Sequence, residues 1–116
     1  ISEIKNKKIK LICLAGFMKI VSKDFIESFK GKILNIHPSL LPKYKGLNTH
    51  QRAISNSEKY SGCTVHFVNS KLDSGKIILQ RKVKISKHDT AKSLAKKILT
   101  QEHRLYPKAI KKVFNL

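Results

Sequence analysis

Acidic residues are scarce in this chain of 116 residues: seven Asp and Glu stand against 25 Lys and Arg, for a formal net charge of +18. An excess of that size points to a polyanionic partner such as nucleic acid, anionic lipid or a multiply charged ligand. Arginine is scarce too, with only Arg52, Arg81 and Arg104 among the 25 cations. Phosphate and base-edge recognition draws on arginine's planar fork, and the lysines are spread along the chain, so a solvated basic surface is favoured over a nucleic-acid interface. Cysteine is limited to Cys13, inside an apolar run, and Cys63, after a glycine. Neither belongs to a CxxC and the five histidines show no zinc-ligand spacing, so the thiols read as buried and reduced, and no metal site is expected. Long hydrophobic runs are missing as well. The longest, Leu11 to Phe17, is far too short to span a bilayer, and the residues before it do not read as a signal peptide, so a cytoplasmic protein with no membrane role is expected.

What is present suffices for one modest domain over residues 1–116, with 41% hydrophobic residues and no internal repeat or linker. "IKLICLAGF", Ile9 to Phe17, reads as a strand buried on both faces. "SKDFIESFKGK" predicts a short helix with Ser22 as N-cap, Phe25, Ile26 and Phe29 on one face, and Gly31 as its stop. "KILNIH" is a second strand, so the strand, helix and strand imply a right-handed parallel crossover and an α/β fold. Farther on, "THQRAISN" is helical, "GCTVHFV" alternates with Cys63, Val65 and Phe67 on one side, and "SKLDSGK" is a turn. "KIILQRKVKI" is a strand nearer an edge. Asp89 is placed as the cap of a helix with Ala91, Leu94, Ala95, Ile98 and Leu99 on its packed face, and Pro107 to Phe114 add a helical turn or two.

Ligand sites of open α/β sheets lie beyond the carboxyl ends of strands, where Gly16, Phe17, Asn35 and His37 fall. Two residues apart on a strand, Asn35 and His37 point to one face. An amide donor beside an imidazole suits carbonyl chemistry with a developing oxyanion. The same residues also fit a hydrogen-bonded structural histidine at a strand end. Asp73 has two readings too: a carboxylate that orients His37, or an ordinary turn aspartate. His50, His66, His88 and His103 read as core or surface residues without an assigned role.

"LAGFMKIVS", "NIHPSLLPKYKGL", "GCTVHFVNSKLDSGKIILQ" and "TQEHRLYP" together resemble the phosphoribosylglycinamide formyltransferase family, from about Ile9 to Pro107. Other formyl-transfer enzymes share an HxSLLP-like core. The resemblance implies a Rossmann-like formyltransferase fold, a mixed, mostly parallel sheet flanked by helices, without the usual N-terminal half. It implies formyl transfer from 10-formyltetrahydrofolate to the amine of glycinamide ribonucleotide, with Asn35, His37 and Asp73 catalytic and no metal. Phe17, Met18, Val21 and Ile33 would line the pteridine crevice, with Ser70, Lys71 and Leu72 closing over it. Gly16, Pro38 and Glu102 would meet the ribonucleotide substrate, Glu102 at its amine, and Leu41–Pro42 would be cis. Lys45 and Asn48 depart from the family's usual proline and histidine, which implies a looser loop. Family members are nearly twice as long and hold the substrate phosphate on a glycine-rich loop that has no counterpart before Gly16. The resemblance therefore also implies a fragment, a separate N-terminal half, or a homodimer joined through the strand Lys10 to Gly16. Another reaction of 10-formyltetrahydrofolate, hydrolysis included, and nucleic-acid binding on the same scaffold are the alternatives.

Overall fold

The computed structural model describes residues 11–15, 32–68 and 75–114. The apolar run of the first strand forms β1 (Leu11–Ala15), which pairs in parallel with β2 (Lys32–His37), Ala15 opposite Ile36. A parallel neighbour requires a crossover connection. The helix expected over residues 22–31, which would supply it, lies outside the described residues. β3 (Tyr60–Phe67) and β4 (Ile77–Lys84) then extend the sheet antiparallel, giving the order β1-β2-β3-β4. The sheet is mixed, as expected, but its described ladders comprise one parallel and two antiparallel pairings. A short helix, α1 (Thr49–Ser55), lies between β2 and β3, and a long one, α2 (Ala91–Phe114), follows β4.

The two faces of the sheet differ in chemistry. Leu34 and Ile36 of β2, Cys63 and Val65 of β3, and Ile78 and Val83 of β4 pack against Leu94, Ile98, Leu105 and Ala109 of α2. Each fully buried aliphatic side chain contributes about 1.5–3 kcal/mol. Ile78 and Val83 are five apart and would face opposite ways in a regular strand. A register shift opposite Val65 and His66 makes Ile78 the extra residue and lets both reach the core. The solvent side of β4 carries exposed Gln80, Lys82 and Lys84, a guarded outer strand as the sequence suggested.

α2 departs from expectation in three ways. Its cap is Thr90 rather than Asp89: the Ser93 N–H donates to Thr90 Oγ1 at 3.1 Å, and the Thr90 N–H donates to Ser93 Oγ at 2.9 Å. Asp89, one residue earlier, receives Lys97, Ser93 Oγ and the Ser86 N–H, and these donors hold its carboxyl down at about 2. Leu99 is 49% exposed, off the packed face. The helix also runs unbroken through Pro107. Proline there removes one backbone hydrogen bond, a cost of about 3 kcal/mol, which the burial of Ala109 with Ile110 and Val113 on the far side offsets. Two polar ties lock α2 to the sheet: Tyr106 Oη donates to the Leu34 carbonyl at 3.0 Å and Lys112 Nζ to the Ile78 carbonyl at 3.1 Å. Among the described residues, no helix is long and apolar enough to cross a membrane.

Candidate active site

Alternation along β2 that sends Leu34 and Ile36 into the core turns Ile33, Asn35 and His37 to the opposite face. Antiparallel pairing then sets Asn35 against His66 and His37 against Thr64, and Thr64 against Gln80 on the next strand. All of these but Gln80 are buried, His37 at 1% exposure and Asn35 at 3%. The expectation for β3 put Cys63, Val65 and Phe67 on one side. Thr64 and His66 on the other side are buried as well, at 0% and 2% exposure, and the chain after His37 folds back over Thr64.

That return loop is built on side-chain hydrogen bonds. Thr64 Oγ1 donates to the Ser39 carbonyl at 2.7 Å, and accepts the Leu41 N–H at 3.1 Å and Gln80 Nε2 at 3.0 Å. Gln80 Nε2 also donates to the Leu41 carbonyl at 2.9 Å. Leu41–Pro42 is cis, as the resemblance implied. Tyr44 takes a left-handed φ of 55° and presents its carbonyl to His37, whose Nε2–H donates to it at 2.8 Å. A carbonyl only accepts, so Nε2 carries a hydrogen, and in the neutral ring Nδ1 keeps the lone pair. The looser loop expected from Lys45 and Asn48 is not found. Arg52 donates to the carbonyls of Lys45 at 2.7 Å and Leu47 at 2.8 Å, with its guanidinium over the Tyr44 ring, while Glu58 accepts the Tyr44 hydroxyl at 2.9 Å.

Among the described residues, three buried polar atoms have no hydrogen-bond partner: Asn35 Oδ1, Thr49 Oγ1 and His50 Nε2. Native interiors leave few such groups, and those that occur mark places where a polar ligand or water is received. His50 stands in the first turn of α1. Burial first, and the charge of His37 second, push its pKa down, so it is held neutral. Glu102, half-buried on α2, has no hydrogen bond or ion pair among the described residues, and burial alone raises its pKa to about 7. Its charge is felt by Cys63, beside Thr64, and burial with that charge pushes the Cys63 thiol up to about 12, an inert group as expected.

The described residues therefore gather Ile33, Asn35, His37 and buried Pro38 at the end of β2, while Glu102 lies on the α2 side. Asp73, Gly16, Phe17, Met18, Val21, Ser70, Lys71 and Leu72 lie outside them. Beside residues 69–74, the Val68 N–H donates to the Ile33 carbonyl at 2.8 Å and Gly75 packs on Phe67. Sequence reasoning missed Thr64, His66, Gln80 and His50. The alternation of "GCTVHFV" held a signal for two of them, since Thr64 and His66 share the side opposite Cys63 and Val65. Among the described residues, no group of three or more His, Cys, Asp or Glu side chains could hold a metal ion.

Comparison with known proteins agrees with this geometry. The chain is 50% identical over 108 residues to a phosphoribosylglycinamide formyltransferase of Haemophilus influenzae, covering 93% of this chain and 51% of that one. It is 46% identical over 110 residues to the human trifunctional purine biosynthetic protein adenosine-3, covering 95% of this chain and 11% of that one. Among solved structures, phosphoribosylglycinamide formyltransferase from Anaplasma phagocytophilum superposes with a TM-score of 0.89 at 46% identity, over 95% of this chain and 53% of that one. The Bacillus halodurans enzyme gives 0.90 at 41% identity, over 97% and 58%. The chain thus spans about half the length of the single-function relatives it matches. Residues 1–110 match the family described as formyl transferase, and the chain belongs to that family.

Proposed function

We propose that this chain carries the centre for formyl transfer from 10-formyltetrahydrofolate to the primary amine of glycinamide ribonucleotide. The observation that supports this most directly is the buried pair of Asn35 and His37 on one face at the carboxyl end of β2, with an acceptor oxygen of Asn35 left unpartnered. In this reading the amine nitrogen attacks the formyl carbon, a C–N bond forms, and the formyl oxygen becomes an oxyanion. An N–H of Asn35 and the protonated His37 imidazole stabilise that oxyanion. When the tetrahedral carbon collapses, the bond to the folate nitrogen breaks, and the proton lost by the amine goes to that nitrogen. Asp73 supports His37 and relays this proton through water. Ile33 lies on the side of the pteridine, and Glu102, whose carboxyl has no cation among the described residues, receives the amine-bearing substrate.

The reading is tested by following deformylated folate when the protein meets both substrates. Asn35→Ala is expected to remove about 3 kcal/mol of transition-state stabilisation, roughly a hundredfold in turnover. Turnover unchanged by that substitution would remove Asn35 from the chemistry. Formate released at the same rate with and without the amine would replace transfer by hydrolysis.

The relation to a partner is part of the same proposal. Among the described residues β1 has a neighbour on one side only, and an apolar strand with an open edge recruits another strand. We place beside it a strand from outside the described residues, supplied by a longer form of this chain, a separate polypeptide or a second copy. Sedimentation of the purified chain as a monomer at micromolar concentration would exclude the second copy.

A further inference from the structure

The hydrogen bonds around His66, a residue to which sequence reasoning gave no role, fix its tautomer. Its Nδ1 lies 2.9 Å from the Phe67 carbonyl, which can only accept, so Nδ1 carries the hydrogen and Nε2 of the neutral ring presents a lone pair. That lone pair faces Asn35 Nδ2 at 3.5 Å. The contact is long, a geometry found in catalytic centres without their substrates, and it is directional. With the carboxamide turned over, Asn35 Oδ1 would face the lone pair of Nε2, and two acceptors would repel each other. The ladder keeps the two side chains opposed, since Asn35 and His66 are direct partners across β2 and β3 and both are buried, at 3% and 2% exposure.

We infer that His66 is a positioning residue that decides which end of the Asn35 carboxamide meets each reacting group. The inference rests on the formyl-transfer reading above. One Nδ2 hydrogen is taken by His66, and the other is directed to the formyl oxygen. Asn35 Oδ1, buried and without a hydrogen-bond partner, then accepts an N–H of the attacking amine. An acceptor on the amine hydrogen leaves the nitrogen lone pair available and aims it at the formyl carbon. The opposite orientation would point an N–H donor at the amine and occupy the lone pair that must attack. A single side chain so oriented touches both reactants, and the imidazole behind it touches neither.

The test compares His66→Phe, which keeps the ring and removes the acceptor, with His66→Gln, whose amide oxygen can take the Asn35 N–H. His66→Phe is expected to lower kcat about 10- to 100-fold, the size of one misdirected polar group, with KM for 10-formyltetrahydrofolate changed less than about threefold. His66→Gln is expected to recover most of kcat. A residue that merely fills space would give losses that follow thermal stability and no rescue by glutamine, and that result overturns the inference. A readout independent of turnover accompanies it. The imidazole nitrogen spectrum of the unmodified protein should show the Nδ1–H tautomer at His66, and the Asn35 side-chain amide signals should shift in His66→Phe. An Nε2–H tautomer, or Asn35 signals that do not move, overturns the inference even where formyl transfer is confirmed. If the protein transfers no formyl group, the formyl-transfer reading fails, and these spectra still decide whether His66 orients Asn35.

Discussion

His37→Ala is expected to lower turnover about a thousandfold, within the usual range for one positioned acid–base group, while 10-formyltetrahydrofolate binds within a few-fold of its original affinity. The split follows from where the imidazole stands. Its Nε2–H is tied to the Tyr44 carbonyl, so under the proposed formyl transfer Nδ1 is the atom that would exchange a proton with the reacting centre. The apolar crevice proposed for the pteridine draws on Ile33 and on residues outside the described set, none of which the substitution replaces. Alanine also leaves the Tyr44 carbonyl without this donor, but Arg52, Glu58 and Thr64 continue to hold the loop. Single-turnover formation of deformylated folate, beside equilibrium folate binding, separates the two quantities. A variant that turns over within tenfold of the parent would show that His37 supplies no acid, and a parallel loss of binding would show that it serves the loop instead.

Gly75→Ala is expected to be the most damaging change of a single methyl group outside the core, at about 3 kcal/mol or more of stability. A β-carbon on Gly75 would overlap the Phe67 carbonyl oxygen and carbon, which are backbone atoms and cannot rotate aside. Moving that carbonyl breaks two things. The Phe67 N–H donates to the Lys76 carbonyl at 2.9 Å where β3 and β4 meet, and the Phe67 carbonyl fixes the ring of His66. Denaturant unfolding with an unchanged slope and a lowered midpoint would report the first loss, and weakened turnover in the folded fraction the second. A variant as stable as the parent would mean that the turn relaxes without moving Phe67. In the sequence this glycine marks an ordinary turn. Its value comes from the close approach of two backbones, which only the fold creates.

Other features divide the same way between what a local pattern encodes and what packing adds. β2, the parallel partner before it, the helix at Thr49 and the guarded strand after Lys76 were all legible, because each is set by apolar periodicity and by glycine or proline at its ends. The placement of Asn35 and His37 on one face was legible for the same reason. Thr64 and His66 were not. A polar residue alternating with apolar ones does not announce burial, and Thr64 is buried under the returning loop while His66 is buried against Asn35 across the ladder. The continuity of α2 through Pro107 was hidden as well, since proline signals a stop and only the contacts of Ala109, Ile110 and Val113 reveal the opposing stabilisation. The capping of α2 shifted by one residue because Asp89, Thr90 and Ser93 are all competent caps, and geometry gave Thr90 the role. The parts assigned to Asp73 and to the crevice came from family resemblance, since spacing alone marks a turn and an apolar run.

Tyr106 stands 72 residues from Leu34 along the chain, and its hydroxyl grips the backbone of the strand that holds Asn35 and His37. The later turns of α2 and strand β2 are therefore one cooperative unit. Fraying of α2 as far as Tyr106 removes a hydrogen bond from the middle of β2 and uncovers Leu34 and Ile36 together. The backbone amides of β2 are therefore expected to exchange with solvent only through openings that also release α2, a result that hydrogen exchange beside thermal unfolding would check.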